Sequence, residues 1–219
     1  MCDAESEAET TGAGQRFCYA PALMDLTVFI EPKLDLDRLA KVLDEMGHEG
    51  RLHTIRGWGK KTQAMLFEAV KGHRPLTLEH FVPADVGVLQ EVIHEGKNTL
   101  PAFSHFQKRF ARTESGDIVG YNQGVTLGLT GPGYFSVHGT DTEGEIDIDY
   151  KMLPKERVAT WPEILPNSAK LGSLVYEGMV DHMRGISEHV SIGRAEKAGK
   201  MMDAWFVLCR EPAGYRAAS

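Results

Sequence analysis

The chain has 219 residues, 42% of them hydrophobic and 25% charged, a globular balance that gives one large domain an ordinary core. A net charge of -7 argues against broad binding to nucleic acid or anionic membranes, and no apolar run approaches the roughly 20 residues of a membrane-spanning helix. Cys2, Cys18 and Cys209 are odd in number and far apart, so they outline neither a disulfide framework nor a cysteine zinc site, and a reducing, cytoplasmic setting is expected.

Residues 1–14, MCDAESEAETTGAG, are acidic and poor in apolar side chains, and read as a disordered leader. A single α+β domain is expected over residues 15–212, with a frayed tail over 213–219. Residues 24–30 (MDLTVFI) are rich in strand formers. Asp35 or Asp37 can cap a helix that carries Leu36, Leu39, Ala40, Leu43 and Met46 and ends at Gly47. A second helix is predicted over residues 61–71, a second strand over 75–82, and a short helix after Pro83 that stops at Gly96.

Between residues 103 and 150 the pattern changes. FSHFQKRFAR, DIVGYNQGVTLGLT, GYFSVHGT and GEIDIDY are separated by SGD, GPG and TEG, as expected of successive antiparallel strands joined by tight turns. Three prolines in residues 151–167 predict an irregular segment packed over the domain. A long helix is predicted over residues 168–192, and a last strand over 205–210. The expected fold is therefore α+β, an antiparallel sheet of about 5–7 strands covered by a long C-terminal helix and shorter N-terminal helices.

Wound at 100° per residue, the 168–192 segment gathers Val175, Met179, Met183, Ile186 and Val190 on one arc, with His182 and His189 among them. Gly178, His182, Gly185 and His189 then form one stripe. Interior helical glycines cost about 1 kcal/mol each relative to alanine, so a local reason is expected, either close approach to the sheet or room for a ligand. The stripe cannot chelate one metal, because its histidines would stand about 10.5 Å apart along the axis and HExxH spacing is absent. A small-molecule pocket between this stripe and the sheet is the expected function, with Lys108 or Arg109 available to neutralise an acidic ligand group.

An enzyme is the competing class. On the hairpin of residues 133–150, His138 lies across from Glu145 or Asp147, the pairing that acid/base catalysis requires. Histidines from separate segments could also converge on a metal or a haem-like cofactor. A third class is an interaction module that forms a homodimer through the stripe or a sheet edge. GWGKKTQ (57–63) lacks the first glycine of a phosphate-binding loop, and Lys108, Arg109 and Arg112 among phenylalanines are thin support for nucleic-acid binding.

Overall fold

A computed structural model describes residues 34–215. The leader and the strand expected over residues 24–30 lie outside the described residues. Asp35 caps α1 (Leu36–Glu45), its side chain accepting from the Arg38 amide at 2.9 Å. α2 (His48–Arg56) and α3 (Lys60–Ala69) follow, and the chain then forms eight strands. These are β1 (Val92–Asn98), β2 (His105–Arg112), β3 (Ile118–Gln123), β4 (Phe135–Gly139), β5 (Ile146–Asp149), β6 (Met179–Gly185), β7 (Val190–Lys197) and β8 (Lys200–Arg210). Each pairs antiparallel with the next, and β1 pairs with β8, so the sheet is a closed up-and-down barrel.

This corrects the expected α+β architecture of an open sheet under a long helix. Residues 168–192 hold only one short helix, Gly172–Val175, followed by β6, a turn and the start of β7. Three further segments change type, the first of them the end of DIVGYNQGVTLGLT, where Leu127–Thr130 is a short helix instead of strand. Residues 75–82 form a short helix, α4 (Leu78–Phe81), instead of a strand, and the segment approaching Gly96 is β1 instead of a helix. Closure gives β1 and β8 partners on both sides, which removes the unpaired edges an open sheet would leave.

Alternation within the strands sorts the chain into three packed layers. Inward positions include Phe106, Lys108 and Phe110 of β2, Gly120 of β3, Phe135 of β4, Met183 of β6 and Phe206 of β8. Outward, Val190, Ile192, Val207 and Cys209 pack under Leu39, Leu43, Ile55 and Leu66 of the N-terminal helices. The proline-rich segment packs over the domain as expected, against β2 and β3, with Trp161 against Tyr121 at a centroid distance of 5.0 Å. One barrel end is closed by Leu76, Phe81 and Val82, where the Phe81 ring lies 5.1 Å from that of Phe110. The other end is formed by the β1–β2, β3–β4 and β5–β6 connections and the β7–β8 turn. In that turn Ala198 and Gly199 both have positive φ, 50° and 78°, as a two-residue type I′ hairpin requires.

Inward glycines make the interior fit. A Cβ on Gly96 would lie 2.6 Å from the Phe106 ring, one on Gly120 2.5 Å from Phe135, and one on Gly193 2.4 Å from Phe206. Three phenylalanine rings thus pack directly against bare backbone.

Candidate functional site

The open end of the barrel leads into a cavity of about 400 Å³, within the roughly 300–1,000 Å³ range of ligand pockets. Its walls are largely apolar, and its rim carries large hydrophobic side chains exposed to solvent, among them Phe103 at 67%, Val125 at 78% and Leu174 at 74%. At its floor stands a polar cluster from four segments: Lys108 of β2, Asn122 of β3, Tyr150 just after β5, and Asp181 of β6.

The register brings them together. Lys108 is the cross-strand partner of Asn122, and Asp181 that of Ile148, two residues before Tyr150. Lys108 Nζ donates to Asn122 Oδ1 at 3.0 Å, to Asp181 Oδ2 at 3.0 Å, and to the Tyr150 hydroxyl. Tyr150 donates to Asp181 Oδ2 at 3.2 Å, and Asn122 Nδ2 donates to the Gly133 carbonyl at 3.0 Å and to Tyr150 at 3.1 Å. Both charged residues are 2% exposed. The ammonium also sits 5.0 Å from the Phe135 and Tyr150 ring centroids and 5.1 Å from that of Phe206, where ring faces attract a cation.

Burial pushes the Lys108 amine below its ordinary pKa, and the adjacent Asp181 carboxylate opposes that shift. Burial pushes the Tyr150 phenol well above its usual value, with the Asp181 carboxylate adding to the shift, so it stays protonated and able to donate near neutral pH. The floor is therefore an ion pair of zero net charge, held by two neutral side chains.

The residues singled out from the sequence are dispersed. Gly178 precedes β6 at the open end, with a φ of 70°. Gly185 ends β6 about 23 Å further along at strand rise, where a Cβ would stand 2.7 Å from the Arg74 carbonyl. His189 lies in the following turn, its Nδ1 3.4 Å from Arg210 Nη2. His182 points out of the barrel, between Asp147 Oδ1 at 2.8 Å and Glu196 Oε2 at 3.2 Å. The helix that would have formed a pocket wall is absent, so the pocket expected there is replaced by the barrel cavity. Of the two expected cations, Lys108 is inside it, while Arg109 faces outward and pairs with Glu91 at 3.2 Å.

The hairpin residues are also shared out on the outer face. His138 is the backbone partner of Asp147, as the spacing predicts, yet its Nε2 approaches Asp149 at 3.6 Å. Asp147 is engaged by His182, and Glu145 by Arg184 at 2.7 Å. His80 and His94 do meet, with ring centroids 5.9 Å apart at the closed end, where burial holds His94 neutral with a pKa lowered to about 3. Among the described residues, no group of three or more His, Cys, Asp or Glu side chains could hold a metal ion, and no helix is long and apolar enough to cross a membrane.

His182 makes a separate prediction. Its hydrogen bond to Asp147 raises its pKa to about 9, against the opposing effect of burial. The folded state therefore binds this proton more tightly than the unfolded chain, whose histidine titrates near 6.5. The stabilisation is complete below about pH 6.5 and is lost as pH rises through about 9. Urea midpoints measured from pH 6.5 to 9 should fall for the native chain, and the fall should be shallower in His182→Gln. Parallel curves would show that the Asp147–His182 contact is not formed.

Asn122, Tyr150 and Asp181 carry no motif, but two of the floor's members left a trace in the sequence. Lys108 stands between Phe106 and Phe110, and Asp181 between Met179 and Met183. Each is a charge flanked on its strand face by two apolar side chains, and the two have opposite signs. No family model, curated protein or solved structure matches the chain.

Proposed function

We propose that the protein binds a small, mainly apolar molecule inside the barrel, with the ligand's polar end resting on the Lys108–Asp181–Tyr150–Asn122 floor. The observation that carries this reading is a buried ion pair placed where an apolar cavity ends. Buried ion pairs contribute little net stability compared with apolar side chains of the same size, so stability alone is a poor reason for this one. The hydrophobic rim supports the same reading, because a lipophilic guest can desolvate progressively as it enters. Acid/base catalysis by His138 has less support, since its ring is half-exposed and neither Asp147 nor Glu145 orients it.

The uncharged fluorophore N-phenyl-1-naphthylamine tests the reading. Its emission should rise on mixing with the native protein and saturate at one molecule per chain. Ala204→Trp, which places an indole at the cavity wall, should weaken that binding at least tenfold while preserving the fold. Saturable binding unaffected by this plug would place the ligand elsewhere, and no binding would remove the proposal.

A further inference from the structure

We propose that the head group accepted by the floor is an uncharged hydrogen-bond donor, a hydroxyl above all, carried on an apolar body. This rests on the barrel cavity being the ligand site. The donors and acceptors of the cluster select that head group. A lysine ammonium has three N–H groups, and those of Lys108 are met by Asn122, Asp181 and Tyr150. Asn122 has two, met by the Gly133 carbonyl and the Tyr150 oxygen. The single Tyr150 proton has Asp181 Oδ2 at 3.2 Å as its nearer acceptor and Asn122 Oδ1 at 3.4 Å as the other, both within the cluster. Every donor of the cluster is occupied. Among the described residues, Asp181 uses Oδ2 for both of its contacts in the cluster, which leaves Oδ1 as its unoccupied acceptor on a residue that lines the cavity.

Four classes of head group can be sorted by that vacancy. A carboxylate needs donors, finds none free in the floor cluster, and brings a second negative charge to Asp181 in a poorly screened interior. An ether or ketone also needs a donor and leaves Oδ1 unpaired. An ammonium can donate, but it would share the carboxylate with the Lys108 ammonium already 3.0 Å away, and like charges repel strongly there. A hydroxyl donates to Oδ1 and adds no charge. Hydrogen bonds to charged groups are among the stronger ones, so the discrimination should be at least tenfold.

Decan-1-ol, decyl methyl ether and decanoate, titrated calorimetrically into the full chain at pH 7, provide the test. Decan-1-ol should bind about tenfold or more tightly than the ether, and decanoate should be weaker than the alcohol by at least as much. Replacing the pair with apolar side chains in Lys108→Met/Asp181→Leu should bring alcohol and ether within about twofold of each other while both still bind. If that variant does not fold, the ratios in the native protein decide alone. Equal binding of alcohol and ether, or tighter binding of decanoate, overturns this inference and leaves the cavity as the ligand site. Binding of none of the three overturns both.

Discussion

Asp181→Leu alone is expected to destabilise the protein by about 3–5 kcal/mol, and Lys108→Met alone by a similar amount, whereas the two together should cost about 1 kcal/mol or less. Each single change leaves a charge 2% exposed and without its counter-ion. For Lys108 the surrounding rings and the Tyr150 and Asn122 oxygens are no replacement for a carboxylate. The double change removes both desolvated charges and fills their volume. Tyr150 keeps the hydrogen bond it accepts from Asn122 Nδ2 at 3.1 Å, and its freed proton has Asn122 Oδ1, 3.4 Å away and released by Lys108, as its acceptor. Urea denaturation of the four proteins gives the coupling energy directly. Additive single losses would mean that the two side chains do not interact across the barrel.

The second large effect concerns backbone clearance. Gly120→Ala should lower stability by about 3 kcal/mol or more, the upper end for overpacking, and the melting temperature by roughly 6–12 °C in a chain of this size. The new methyl would stand 2.3 Å from the Arg109 carbonyl oxygen on the neighbouring strand and 2.5 Å from the Phe135 ring. A ring can turn aside, but a carbonyl within the β2–β3 ladder can move only if the ladder opens. Gly139→Ala is the matched control. It too lies on a strand, nothing stands within 4 Å of its added Cβ, and its melting temperature should be unchanged or slightly higher. Equal behaviour of the two variants would contradict the tight inner surface on which the cavity's shape depends.

The sequence predicted α1, α3 and the run β2–β5, apart from the helix at Leu127–Thr130, because their signals are local: a capping aspartate, a terminal glycine, and alternation broken by turn residues. The largest error arose where two periods coincide. Val175, Met179 and Met183 recur every four residues, and a step of four returns to the same face in a strand as well as in a helix. Only the intervening residues distinguish the two. In a helix His182 joins Met179 and Met183, but in a strand it opposes them and Asp181 joins them. The strand places the acid inside and the imidazole outside, as the Lys108 and Asp147 contacts record.

Barrel closure was not legible for a different reason. It depends on β1 pairing with β8, segments more than a hundred residues apart, and no local preference encodes such a partner. The floor inherits that difficulty, since Lys108 and Asp181 face each other only once the sheet has curved round. The two charges of opposite sign, each between apolar neighbours on its strand face, were nevertheless present in the sequence, and alternation over residues 179–185 is the signal that points to them.

The most direct test of the account is a crystal structure of the native protein grown with decan-1-ol. The expected result is a closed eight-stranded barrel with the alkyl chain between the Phe106 and Phe206 side of the cavity and the rim, and the hydroxyl within hydrogen-bond distance of Asp181. An open sheet, or a barrel whose interior is filled by side chains with Lys108 and Asp181 apart, would contradict it.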